Sequence, residues 1–359
     1  MKKITFTAAF LIAVLHATAQ IVSFSDTEIS RLKKLIKSEQ EVKAAFEPFR
    51  AEASRSLEQT PGPVKTIISQ GVLAGNPAKT ASLKAVEDVN KIYAMALMFR
   101  LYNDKAYLEK ATEFLLAWSR INQPEGNPIN DTKLEDAVIA YDLIRRYTSD
   151  NDRSEIDGWL DKLADEELKS IHAKGNKGTA VNNWNSHRLK MIIQIAYTLK
   201  NDKYQKQAEE ELKGHLENNL NPDGSTFDFR ERDALNYHNF SLEPLLKACI
   251  TIQRAKGTDY FRYQTPAGAS IEHSVDFLVP FVSGEKSHKE YLNSKVKFDR
   301  DRAANNEKGF QIADFVPAKG IFVLSAASWF KPQYLDVIKK ATDDRNYIDW
   351  QLVVNRVRK

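Results

Sequence analysis

The chain has 359 residues, with 52 Lys and Arg against 48 Asp and Glu, a net charge of +4 and a single cysteine, Cys249. So small a charge excess neither requires nor excludes a polyanionic partner and leaves local clusters to decide. One cysteine excludes an intramolecular disulfide, and a thiol inside LEPLLKACI is expected to serve as a small buried apolar side chain.

The first element is MKKITFTAAFLIAVLHATAQ: two lysines, an apolar run from Ile4 to Leu15, then Ala17-Thr18-Ala19. That is the form of a bacterial-style secretory signal peptide over residues 1–19, with an apolar stretch too short to remain as a spanning helix. Cleavage is expected after Ala19, with no cysteine following it for lipid attachment, and the expected location is periplasmic or secreted. No second apolar run approaches spanning length, so no membrane span is expected. Residues 20–359 are read as a single domain.

From Ile29 onward the dominant period is helical. Leu83, Val86, Val89, Tyr93 and Leu97 share one face; Leu108, Ala111, Leu115 and Trp118 another. Leu134, Val138 and Tyr141 repeat the pattern, as do Ile156, Leu160 and Leu163, then Leu189, Ile193 and Ala196, then Leu212, Leu216 and Leu220. Trp118 and Tyr141 fall on these stripes and belong to the core. The connections YNDKA, TSDND and LKNDK are short and polar, with Asn or Asp placed to cap the following helix. Strand signals are scarce; TIISQGVLA (66–74) and GIFVLSAASWF (320–330) are ambiguous apolar runs. A succession of antiparallel helix pairs predicts an all-α fold, an α/α toroid around a central cleft, with a plain helical bundle as the alternative.

Four segments interrupt the rhythm: 121–136, 173–188, 221–233 and the basic stretch 283–302. Long interruptions in a regular scaffold are where sites tend to be built. In AVNNWNSHR, a helix starting near Asn185 or Ser186 leaves Asn183 in the loop and His187 in the first turn, on the same side; taken alone, the stretch is better explained as a plain helix cap. In FRERDALNYHN, Arg230, Arg232, Tyr237 and His238 straddle a helix start, with Asp233 as the expected cap. A guanidinium beside a phenol favours the phenolate. Arginines paired with Asp228, Glu231 and Asp233 are the structural alternative.

Amides, a guanidinium, an imidazole and a phenol suit one metal-free chemistry, β-elimination in a uronic-acid polymer. Donors aimed at the carboxylate stabilise the charge that develops when the C5 proton leaves. A base must reach C5 and an acid must protonate the departing O4. Tyrosine can do both when the two lie on the same ring face; histidine is the better base when they lie on opposite faces.

PDGSTFDFRERDALNYHNFSLEPLL resembles the segment of alginate-lyase-type polysaccharide lyases that carries Asp-Gly-Ser, an arginine and Tyr-His-Asn before a helix. AVNNWNSHR resembles their Asn-Asn-His or Asn-Asn-Trp loop, FRLYNDKAYLEKATEFLLAW their helix-pair pattern, and EYLNSKVKFDRDR their C-terminal helix, so the likeness runs from about Ala81 to Arg302. The resemblance implies an incomplete α/α toroid with a deep cleft, and a lyase acting on alginate, polymannuronate or glucuronan. It implies that Asn183 and an arginine neutralise the uronate carboxylate, Arg230 by its seven-residue spacing to Tyr237 and Arg232 as second choice. His187 would join them or act as base on the opposite face, and Tyr237 would be the acid and, on same-side substrates, also the base. Trp184 stands where the family motif has His, which leaves the placement of the imidazole open.

Further expected substrate contacts are Trp184, Arg232, Lys286, His288, Lys289 and Tyr291, with His238 there or orienting Tyr237; a solvated basic face is the usual explanation of such a basic run. The expected partner is an acidic polysaccharide, not nucleic acid, because the basic residues are interleaved with acids. No metal or other cofactor is expected: there is no HExxH, no Cys cluster and no calcium-type loop. Two other functions fit the same fold, a non-catalytic glycan binder and a glycoside hydrolase. The second requires two carboxylates across the cleft, and Asp223, Asp228, Glu231 and Asp233 are the candidates.

Overall fold

The computed structural model describes residues 20–174 and 177–359; the signal-peptide reading of residues 1–19 lies outside them. Four helices form an inner layer: Glu87–Tyr102, Glu135–Ile144, Asn183–Leu199 and Leu235–Lys256, each packed on the next. Asn183–Leu199 and Glu87–Tyr102 are buried nearly all round, as their continuous apolar sequences require. The helices Lys105–Ile121, Asp150–Leu168, Asp202–Asn219 and Ile271–Val282 lie outside them and bury one stripe each. Alternation of inner and outer helices along the chain makes the expected α/α toroid.

The hairpin tips carry their own punctuation. Asn103 takes a left-handed conformation (φ 59°) to end one helix, and Asp104 caps the next by accepting from Ala106 N. Lys200 and Asn201 do the same in LKNDK. The gap in the arc of hairpins is filled by the terminal segments. Trp350 lies 4.5 Å from the Phe49 ring and donates to the Tyr93 hydroxyl, 3.0 Å away. Arg31 reaches the Val357 carbonyl, and Arg356 pairs with Glu39.

Several local expectations change. The Leu83–Leu97 stripe is broken at Val86, which ends Pro77–Ala85 and starts Glu87–Tyr102, so Leu83 falls out of phase and is 42% exposed. The run 66–74 has no regular element; Ser69 is tied instead to Asn130 through its backbone N–H and its hydroxyl. The run 320–330 contains the helix Ile321–Ala327. Among the described residues the only strands are Lys289–Glu290 and Ala313–Asp314, an antiparallel pair. Cys249, Trp118 and Tyr141 are fully buried.

Candidate active site

The inner helices Asn183–Leu199 and Leu235–Lys256 begin side by side, and a cleft of about 430 Å³ opens at their N-terminal ends. The first of these helices starts earlier than the expected Asn185 or Ser186: the Asn182 side chain caps it by accepting from Trp184 N, so Asn183 is the first helical residue and not part of the loop. Asp233 is not the expected cap. It is the left-handed terminator (φ 47°) of the short helix Phe227–Arg232, and its carbonyl and side chain bind the stretch 288–293 from across the cleft. The preceding NPDGS turn needs Gly224: at φ +86° a Cβ would come within 2.8 Å of Phe277 Cβ.

Four cations line the cleft, Lys133, Arg232, Arg302 and Lys308, with the amides of Gln70, Asn183 and Asn236. Trp184, Tyr237, Phe240, Tyr291, Phe298 and Phe310 supply aromatic surface, and no carboxylate lines it among the described residues. Asn183 is 1% exposed and donates to Asp228, whose second oxygen accepts from Asn219 at 3.3 Å. Burial pushes the Asp228 carboxyl up to about 6, against the opposing pull of the Asn183 amide and of Arg232. Arg232 lies over the Tyr237 ring, 3.9 Å from its centre, and pairs with the buried Asp299. The Tyr237 hydroxyl accepts from Arg302 Nη1 at 3.1 Å. Burial raises the phenol above its ordinary pKa while Arg232 and Arg302 pull it down. Tyr291 meets the Tyr237 ring edge-on at 6.2 Å, held at φ 63° by its N–H to the Asp233 carbonyl at 2.7 Å.

Asn183, Trp184, Arg232, Tyr237 and Tyr291 thus share one cleft, and the other expected residues do not line it. Arg230 is half exposed and turned away, bonded to Ser225 Oγ at 2.8 Å and Asp223 at 2.9 Å. The reason is helical phase: positions two apart lie on opposite sides of a turn, so only one of the two arginines can face the cleft. His187 shares the face of Asn183, as its spacing predicts, but Phe240 of the next helix lies against its ring at 4.3 Å, leaving it 3% exposed behind the wall. Burial and the nearby Lys190 hold this imidazole neutral, far below its usual pKa. Its Nδ1 meets Thr132 Oγ1 at 3.1 Å, and Nε2 has no partner.

His238 is a core residue, bonded to Thr226 Oγ1 and to the Ser274 carbonyl. His288 packs on Phe229 and donates to the Asp233 carbonyl; Lys286 and Lys289 are exposed outside the cleft. The hydrolase carboxylates are spoken for: Asp228 behind Asn183, Asp223 on Arg230, Glu231 on Lys295, Asp233 on Asn293. Lys133, Arg302 and Lys308 were not anticipated, although the first and second fall inside flagged interruptions. Phe240 follows Tyr237 by three residues and is readable from helical phase alone. Among the described residues no cluster of three His, Cys, Asp or Glu side chains is arranged to hold a metal.

A family model described as alginate lyase matches residues 36–288, well over half of the chain. The protein belongs to the alginate lyase family. It is therefore a polysaccharide lyase. Its fold is similar to that of an alginate lyase from Bacteroides ovatus, with a TM-score of 0.67 at 15% identity, over 94% of this chain and 98% of the other. Alginate lyase A1-III from Sphingomonas species A1 gives 0.59 at 19% identity, over 75% and 80%. A Tyr-to-Phe variant of A1-III complexed with a tetrasaccharide gives 0.59 at 18%, over 78% and 81%. At these identities the likeness concerns the fold. No curated protein sequence matches the chain. In this lyase the cleft residues Tyr291, Phe298, Arg302, Lys308 and Phe310 all lie beyond the matched span.

Proposed function

We propose that the lyase cleaves a uronate polymer of manno or gluco configuration, polymannuronate in alginate or glucuronan, with Tyr237 as both base and acid. The observation that carries this reading is the Tyr237 hydroxyl in a carboxylate-free cleft with Arg232 and Asn183 beside it. Arg232 and Asn183 face the substrate carboxylate and hold the charge that builds as C5 is deprotonated. The phenolate of Tyr237 takes the C5 proton, the C–H electron pair becomes the C4–C5 double bond, the C4–O4 bond breaks, and the proton passes to O4. The product carries a 4,5-unsaturated uronate at its new non-reducing end.

The position of His187 supports this choice of configuration. An elimination across opposite ring faces needs a second base facing Tyr237, and the imidazole stands behind Phe240. Mannuronate and glucuronate share their configuration at C4 and C5, with both reacting groups on one side; guluronate is inverted at C5. Purified protein is incubated with polymannuronate, glucuronan and polyguluronate while the ultraviolet absorbance of the unsaturated product is followed. Rapid rise with either of the first two and little with the third is the expected result; preference for polyguluronate refutes the single-tyrosine scheme. Export from the cytoplasm is part of the proposal, supported by the leader pattern of residues 1–19, and a mature protein of cytoplasmic origin that retains Met1 argues against it.

A further inference from the structure

Two arginines approach Tyr237, and they approach different parts of it. Arg232 covers the ring face, and one of its nitrogens is committed to Asp299. Arg302 instead meets the oxygen, donating from Nη1 at 3.1 Å. A guanidinium has no acceptor, so the phenol must accept there and keep its own hydrogen for another partner. The Arg302 guanidinium itself is clamped, 4.5 Å from the Phe298 ring and 4.5 Å from the Phe310 ring. Glu307 stands 3.6 Å from its Nε and is largely buried. The other oxygen of Glu307 accepts from Ala74 N at 2.6 Å, so the clamp is anchored to the loop whose Ser69, Gln70 and Gly71 also line the cleft.

We infer that Arg302 is the positioning residue for proton transfer at Tyr237: it turns the hydroxyl hydrogen toward the cleft and stabilises the phenolate oxygen once that proton has left. The inference rests on the elimination scheme above but concerns a residue outside the span matched by the family model. The charged and titratable groups facing Tyr237 are Arg232 and Asp228 from the helix Phe227–Arg232, Asp299 and Arg302 from the helix Lys297–Ala304, and Tyr291. The two acids disfavour the phenolate and the two arginines favour it. Arg232 is the stronger of the two charges, but only Arg302 touches the oxygen, so its loss takes away the one direct hydrogen bond that steadies the ionised form.

The test uses full-length mature protein as Arg302→Met, Arg302→Lys and Glu307→Gln beside wild type, with two readouts. The first is the titration of Tyr237 in the absence of sugar, followed by NMR of protein labelled with ¹³Cζ-tyrosine and assigned with Tyr237→Phe. The second is kcat and KM against pH on the substrate that wild type cleaves. In Arg302→Met the Tyr237 titration moves up by about one pH unit or more. The limb of the kcat profile governed by Tyr237 moves to higher pH with it, and kcat at neutral pH falls about 10²-fold with little change in KM. Arg302→Lys restores part of both, because it keeps the charge but loses the planar fork. Glu307→Gln keeps Arg302 and removes the anion beside it, so the Tyr237 titration does not rise there, and Arg302→Lys covers the case in which Arg302→Met does not fold. An unchanged Tyr237 titration in the folded Arg302 variants overturns the inference. So does a raised KM with kcat and its pH limbs unmoved, which makes Arg302 a substrate ligand. The NMR titration needs no turnover, so it decides the role of Arg302 even if the elimination scheme fails.

Discussion

The two walls of the cleft are built by different means. One wall is the N-terminal ends of two long inner helices, which present Asn183, Trp184, Asn236, Tyr237 and Phe240 with their backbones locked by helical hydrogen bonds. The other is the stretch 289–310, with a two-residue strand and one eight-residue helix as its only regular elements. Side chains and main-chain hydrogen bonds from the FRERD segment hold it in place: Glu231 to Lys295, Arg232 to Asp299, Asp233 to Tyr291 and Asn293. The charged cluster that stands out in the sequence is thus in large part a set of pegs for the opposite wall. The helical side supplies the Tyr237 hydroxyl and the Asn183 amide; the other side supplies cationic and aromatic surface, with Arg302 bonded to that hydroxyl.

Breaking the helical wall has the largest expected effect. Tyr237→Phe lowers kcat by about 10³-fold or more with the fold intact, as judged by circular dichroism. A fully active Phe variant removes Tyr237 from the chemistry. Next comes the contrast within one helical turn: Arg232→Ala costs about 10²-fold in kcat/KM, whereas Arg230→Ala stays within about threefold. The reverse order means that the short helix turns its other face to the sugar when substrate binds.

A third prediction concerns stability behind the helical wall. Burial holds the His238 imidazole down to about 4. A histidine with a depressed folded pKa stabilises the native state above its unfolded value of about 6.5, and that contribution is lost as pH falls toward the folded value. Unfolding free energies from urea titrations at pH 7 and pH 4.5 therefore drop more for wild type than for His238→Gln, by up to about 2–3 kcal/mol. Equal drops remove His238 as a source of acid sensitivity. The smallest effect is expected on the other wall. Lys308 is exposed at the cleft rim, and Lys308→Ala raises KM several-fold at low ionic strength, an effect that fades with added salt. A kcat effect that persists in high salt would move Lys308 into the reacting centre.

Much of the helical side is legible in the sequence. Apolar stripes of period 3.6 give the inner and outer helices, and tips such as YNDKA announce their caps. What escapes is phase and tertiary cover. Choosing between Arg230 and Arg232 requires knowing where a six-residue helix begins, and its N-cap is Thr226, inside the turn. Asp233 has the composition of a cap; its role as a terminator is set by partners some sixty residues away. His187 lies on the expected face, yet nothing in its own helix reveals that Phe240 of another covers it. Arg302 belongs to a stretch with little periodicity, where only the folded chain brings two phenylalanines to either side of a guanidinium.

The meeting of the terminal segments has a kinetic consequence. Arg31 and Val357 are bonded across a sequence separation of 326 residues, and Trp350 wedges between Phe49 and the Tyr93 hydroxyl. Contacts of such range carry a high loop-closure entropy and form late. The hairpins between them can assemble locally and fast, so the step expected last in renaturation is the seating of Trp350–Arg358 against the helices Asp26–Ser38 and Gln40–Ser56, to be followed by fluorescence in a variant that keeps Trp350 as its one tryptophan.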